Sequence, residues 1–268
     1  MGLGLWGQKG VHESFAESCL TTLLLWDILD LQLTWGGELL ALDLHAWDLT
    51  PKEAFAVQRL LCTRVSSANH VSRVQTVAGV DISVKAGTAR AAIAVLSLPD
   101  LELQSAVTAD APITFPYIPG LLAFREVPAI LRAVENLRDV PDVFLVDGHG
   151  LAHPRSLGLA SHLGLILDHP TVGCAKSLLV GSHATLGDGR GDRADLVVDG
   201  QVVGAAVRTR VGVRPVYVSV GHNIDLATAV ELILRCCQRW RLPEPIRWAH
   251  RIAGESLSPV QPYHSLWS

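Results

Sequence analysis

Val143-Phe144-Leu145-Val146-Asp147-Gly148-His149-Gly150 is the stretch on which the fold turns. Four apolar residues in a row are too few for a helix. Closed by Asp147-Gly148, they read as a strand covered on both faces. On the N-terminal side, Val77–Val84, Arg90–Leu98 and Glu102–Thr108 have strand character, with turns at Gly87 and Pro99-Asp100. A Pro-rich segment, Phe115-Pro116-Tyr117-Ile118-Pro119-Gly120, then leads into a helix expected from about Leu121 to Leu137, with Pro128 inside it. On the C-terminal side come a helix near Ser156–Leu167, a strand at Thr171–Ala175 and two strands flanking Asp199-Gly200. A strand over Pro215–Val220 and a helix over Leu226–Trp240 follow. Strands first and mixed βα units afterwards point to a single α/β domain around a mixed central sheet with flanking helices.

The ends read differently. Asp48-Leu-Thr-Pro-Lys-Glu-Ala is a helix start, with Thr50 as N-cap, Pro51 at the first position and Glu53 at the third. That helix is expected to run to about Val65. Residues 1–49, rich in Leu and Trp, form an atypical extension, residues 50–253 the domain, and 254–268 a flexible tail. Met1 is the only methionine, and much of residues 1–45 is expected to be poorly ordered or to lie ahead of the native start.

Composition narrows the classes. Hydrophobic residues make up 49% and charged residues 18%, which is a globular balance and not a disordered one. The longest apolar candidate, Leu20–Leu33, is broken by Asp27 and Asp30. It falls short of the roughly 18 apolar residues needed to cross a bilayer and lacks a signal peptide's flanks, so no membrane partner is expected. Five cysteines without a C-x-x-C pair read as reduced thiols in a cytoplasmic protein. The net charge of −4 looks unfavourable for nucleic acid, but seven acids and one base fall in residues 1–49. The remainder holds 19 acids against 21 bases, which permits a phosphate-binding face.

Three carboxylates stand where a carboxylate is costly. Asp81 interrupts the apolar strand Ala78-Gly-Val-Asp-Ile-Ser83, Asp147 ends the buried run, and Glu126 lies on a mostly apolar helix. Each of the two aspartates taken alone reads equally well as a turn cap beside glycine. Taken together, two strand carboxylates and one helix carboxylate make an oxygen site suited to Mg²⁺, with Mn²⁺ as a substitute. Without further context Lys176 reads as a surface lysine, and His222 as a capping residue beside Asn223.

Five segments, Val77–Ser83, Ile113–Glu126, Asp142–Arg155, Gly173–Ser177 and Ser219–His222, resemble in order the successive motifs of endonuclease V, as do Pro243–Arg247 and Ala249-His250. The resemblance covers about residues 50–253. It implies an RNase H-like fold and cleavage of the second phosphodiester 3′ to deoxyinosine, leaving 3′-hydroxyl and 5′-phosphate ends. It makes Asp81, Glu126 and Asp147 the metal ligands, Lys176 a charge for phosphate, and His222 a neighbour of the attacking water. It makes Pro116, Tyr117, Ile118 and Pro119 a strand-separating wedge, with Tyr117 and Ile118 expected at the surface. Backbone groups at Gly120 and Gly148 would read the lesion, and His153 and Arg155 are candidate phosphate contacts. His149 stands in the Asp147-Gly-x-Gly motif where the family pattern leads one to expect Gln or Asn. His162, His169 and His183 carry no assignment. The implied partner is damaged DNA, cut by a cytoplasmic monomer. The rivals are an inosine-specific ribonuclease, a lesion-binding module that does not cut, and a small-phosphate binder using the Gly187–Arg193 loop. That last loop lacks a phosphate-loop pattern.

Overall fold

The structure, a computed structural model, describes residues 41–255. The elements in chain order are α1 (Pro51–Leu61), β1 (Thr76–Lys85), β2 (Thr88–Ser97), β3 (Leu103–Pro112), α2 (Leu122–Val134), β4 (Val143–Val146), α3 (Leu159–Leu167), β5 (Thr171–Ala175), β6 (Arg193–Val198), β7 (Gln201–Val207), β8 (Val216–His222), α4 (Leu226–Cys236) and α5 (Glu244–Gly254). The eight strands form one sheet in the order β3-β2-β1-β4-β5-β8-β7-β6. β1, β4 and β5 run parallel at its centre, and every other pairing is antiparallel.

The sequence period explains the layers. Along β1, Ala78 and Val80 face one side, where they join Ile93, Phe144 and Val146 under Val127, Ile130 and Leu163 of α2 and α3. Val77 faces the other side with Leu145, Val172, Cys174 and Val218, beneath Ile233 of α4 and Ile246 and Ala249 of α5. β4 touches both layers, and all four of its residues are buried, as expected of a central parallel strand. Asp142 holds the start of this strand to β1, its Oδ2 accepting from the Gln75 and Thr76 amides at 2.7 and 2.9 Å.

The expected cap of α1 is present, with Thr50 and Glu53 forming a reciprocal capping box. The α-helix ends at Leu61 and passes into a 3₁₀ turn over Cys62–Arg64, short of the expected Val65. α4 ends at Cys236 and not at Trp240, and β3 continues to Pro112 because Thr88–Leu96 of β2 pair along its length. α5 was not foreseen. Pro245 discourages a helical reading, yet it sits at the first turn, where a missing N–H costs nothing.

The expected boundary at residue 50 lies inside the packed body. The Leu42 amide donates to the Ile166 carbonyl at 2.6 Å, and Leu44 and Trp47 pack on the clusters under α2 and α3. His45 Nε2 lies 2.7 Å from Nε2 of the fully buried His162. The readings made for residues 1–40 and 256–268 lie outside the described residues.

Candidate active site

β1 and β4 part company after the Val80–Val146 pair. The Asp147 amide still donates to the Val80 carbonyl at 3.1 Å. Asp147 therefore follows the carboxyl end of β4, and Asp81 lies midway along β1, one residue past its last pair with β4 and still paired to Ala92 of β2; the point where neighbouring strands part is a usual place for a site in an open α/β sheet. Strand alternation puts both on the α5 side, below Val77 and Leu145 of the same layer.

α5 reaches that point because of Gly79. A Cβ there would lie 2.0 Å from the carbonyl carbon of Pro245 and 2.4 Å from the amide nitrogen of Ile246. With only hydrogen at this position, the first turn of α5 rests directly on β1. Further along the same helix His250 Nδ1 meets Asp81 Oδ2 at 2.5 Å. Among the described residues, Asp81, Asp147 and His250 form a group whose ligand atoms all lie within 4.8 Å of one another. Lys176, just beyond β5, pairs with Asp147. Arg241 fixes the Lys176 backbone, its Nη2 donating to the Lys176 carbonyl at 2.5 Å and to that of Pro215 at 2.7 Å.

The electrostatics are those of crowded carboxylates. Burial and then the charge of Asp147 raise Asp81, against the hydrogen bond from His250. Burial, then Asp81, push Glu126 up to about 8, opposed by Arg125, with Asp147 adding a further push. Glu126 thus lies within the field of both aspartates but outside their compact group with His250. It comes from α2, on the opposite face of the sheet. Two aspartates, an imidazole and a neighbouring carboxyl fit a divalent cation, because positive charge among them relieves the repulsion that raises Asp81 and Glu126.

Not every expected residue converges here. His222 pairs with Thr171 at the opposite end of β5 from Lys176. Its Nδ1 accepts from the Ser66 amide at 3.1 Å and its Nε2 lies 3.4 Å from Asp168, so it ties loops together away from the aspartates. The histidine beside the carboxylates is His250. It sits in the motif-bearing Ala249-His250 pair, but without α5 nothing in the sequence showed where it pointed.

Tyr117 is 69% exposed, and the Arg125 guanidinium lies 5.9 Å from its ring. Pro116 and Pro119 flank it at the surface. Ile118 is half-buried and packs on the cluster of Ala54, Phe115, Leu121 and Phe124; it roots the loop, and Tyr117 alone projects. His153 is buried, and its Nε2 lies 3.1 Å from the Gly120 carbonyl. Arg155 donates to that same oxygen at 2.8 Å and lies over the Phe55 ring at 4.5 Å. Both side chains brace the loop from behind. The space above Gly120 is filled by the Arg155 guanidinium, whereas a Cβ at Gly148 would make only ordinary contact with Leu159. The Nδ1 of His149 is buried without a hydrogen-bond partner.

Comparison with known proteins agrees with this architecture. The Endonuclease V family model matches residues 59–251. Endonuclease V of Gloeobacter violaceus is 49% identical over 227 residues, which cover 83% of this chain and 92% of that protein. The crystal structure of endonuclease V from Streptomyces avermitilis superposes with a TM-score of 0.75 at 40% identity, over 78% of this chain and 93% of that one. That of Ciona intestinalis endonuclease V, in complex with a 23mer DNA containing an inosine followed by a ribo-adenosine, gives 0.67 at 27% identity, over 76% and 97%. The mixed sheet with helices on both faces is RNase H-like. The chain belongs to the endonuclease V family, and it is an endonuclease.

Proposed function

We propose that this endonuclease recognises deoxyinosine in DNA and, with Mg²⁺ or Mn²⁺, hydrolyses the second phosphodiester 3′ to it, leaving 3′-hydroxyl and 5′-phosphate ends. The observation that carries this reading is the convergence of Asp81, Asp147 and His250 from two neighbouring strands and a helix, with Glu126 in their field. A divalent cation held there supplies charge neutralisation at a phosphate and activation of water. Asp81 and Asp147 offer it carboxylate oxygens. His250, whose Nδ1 faces Asp81 Oδ2, would offer it a ring nitrogen. Glu126 retains a proton on its carboxyl up to about pH 8 and gives it up as positive charge enters the field. Lys176, beside Asp147, supplies a point charge for the phosphate.

Tyr117 is the wedge. Its exposed ring enters the base stack where a deaminated base has weakened pairing, and the lesion rotates out. Gly148, beside Asp147, is the backbone position this reading assigns to the extruded base. His222, His153 and Arg155 act on structure and not on the phosphate. In this reading the enzyme is a cytoplasmic monomer. Cys62, Cys174, Cys236 and Cys237 carry free thiols, and no helix among the described residues is long and apolar enough to cross a membrane. A second reading, cleavage of inosine-containing RNA, draws support from the ribo-adenosine in the Ciona complex. A module that binds without cutting has no use for the full set of carboxylates.

Matched inosine-containing DNA and RNA oligomers, with unmodified controls, test the proposal in Mg²⁺. A single nick 3′ of the lesion is expected on DNA. Asp81→Ala should lose more than ~100-fold in rate, since even groups one step removed from a metal cost up to about that much. Cutting of plain and inosine-containing DNA at equal rates would sink the reading.

A further inference from the structure

Behind Tyr117 the loop is fixed at one backbone atom, the carbonyl oxygen of Gly120. Gly120 has φ of 79°, a conformation glycine adopts without strain. It is the third residue of a turn in which the Leu121 amide donates to the Ile118 carbonyl at 2.9 Å. Three side chains converge on the Gly120 oxygen: Gln58 Nε2 at 2.9 Å, Arg155 Nη2 at 2.8 Å and His153 Nε2 at 3.1 Å. The Arg155 amide donates to His153 Nδ1 at 3.2 Å. That leaves the proton of a neutral ring on Nε2, facing Gly120.

Gln58 is the centre of this group. It lies on α1 and is 1% exposed, on the face that otherwise buries Ala54 and Leu61. Its amide nitrogen also donates to the Leu157 carbonyl at 3.0 Å, and its oxygen accepts from Arg155 Nε at 2.5 Å. Both donor hydrogens and the acceptor are therefore engaged. A buried amide is costly unless satisfied, and here one donor goes to the loop, the acceptor to the arginine that holds the loop, and the other donor to the Leu157 carbonyl, which fixes the amide in place.

We propose that Gln58 is a positioning residue that sets lesion specificity: with Arg155 and His153 it locks the Gly120 carbonyl and so presents Tyr117 in one fixed orientation. This rests on the wedge reading above. Unstacking costs a few kcal/mol per step, and a loop that also had to order on contact would add its conformational entropy to every encounter. A wedge held rigid enters only where pairing is already weak. A loose one adapts to any duplex, and discrimination falls.

Two variants of the full chain test this. Gln58→Met keeps the volume and removes the polar group. Gln58→Glu keeps the acceptor for Arg155 and sets an oxygen against the Gly120 carbonyl. In both, amide exchange at Leu121 should rise about tenfold and the ratio of affinities for inosine-containing and plain duplex, measured in Ca²⁺, should fall about tenfold, the loss of roughly one hydrogen bond. The nicking rate of the saturated inosine complex should change less than about threefold, since the interaction is not made with the reacting atoms. If α1 does not fold in these variants, Arg155→Lys loosens the same oxygen from outside the core and should show the same pattern. Cooperative melting with wild-type exchange at Leu121, or with unchanged discrimination, overturns the proposal. Tyr117→Ala separates the two ideas. If it lowers discrimination and Gln58→Met does not, the clamp fails alone; if neither does, the wedge has failed with it.

Discussion

Asp81 and Glu126 are raised chiefly by burial and then by neighbouring negative charge, and the sign of the consequence follows. An acid whose folded pKa lies near 8, against 4.5 ordinarily, holds a proton that the unfolded chain releases. Its contribution to stability is present below pH 4.5 and is lost as pH rises towards 8. A divalent cation prefers the ionised carboxyls, so metal affinity should climb over that same window and binding should release protons. Calorimetric titration with Mn²⁺ at pH 6 and pH 8, in buffers of differing ionisation enthalpy, reads both quantities. Proton-free binding of equal strength at the two values contradicts the assignment, and Glu126→Gln should flatten the dependence. His222 gives the contrasting expectation. Its two polar contacts are structural, so His222→Ala should cost about 1–3 kcal/mol of stability with the rate per folded molecule nearly unchanged, as melting and single-turnover kinetics would show. Asp81 and Asp147 were legible only as a pair, because two acids on apolar strands are costly without a shared partner. The true position of His222 was not, because its partners Ser66 and Asp168 come from loops far away in the chain.

α5 shows why a site can be read and its third member missed. Ile246, Ala249, Ile252 and Ala253 are its buried face, a helical spacing, but the run is short and opens on Pro243-Glu244-Pro245. Proline at the start of a helix and proline in a loop look alike without the partner surface. That surface is Gly79, whose missing side chain admits the backbone of Pro245. Gly79→Ala should therefore lift α5 from β1. The overlap is with backbone and not with a flexible side-chain end, so a loss of at least 1–3 kcal/mol is expected, together with weaker Mn²⁺ binding as His250 leaves Asp81. Thermal melting and metal titration of the same variant check both, and wild-type values for both would contradict the packing argument. β4 needed no such help. Four apolar residues closed by Asp-Gly admit one reading, and the strand spans Val143–Val146 as expected.

At the scale of the molecule, the strap formed by Leu42–Leu49 belongs to the folded body, although composition set it apart. Apolar residues without a period carry no signal of where they dock. Trp47 stacks on His162, ring centroids 5.8 Å apart, and His45 joins them through its ring nitrogen. Burial, then the neighbouring His45, depress His162 to about 3; burial, then Arg155, depress His153 to about 4. For a base shifted downward, stability is complete above pH 6.5 and falls with acid until the folded pKa is reached, at about 1.4 kcal/mol per pH unit for each group. Melting temperature should thus drop between pH 7 and pH 5 more steeply in the wild type than in His162→Phe, a comparison in which the opposite effect of Glu126 cancels. Parallel profiles would remove His162 from the account. Above all stands the joining of two neighbouring strands and one helix around a cation. Pulsed EPR of bound Mn²⁺ addresses that most directly. One imidazole nitrogen coupled to the metal is expected, lost in His250→Ala and kept in His222→Ala; coupling that survives the first substitution and vanishes in the second would take His250 off the metal and put His222 in its place.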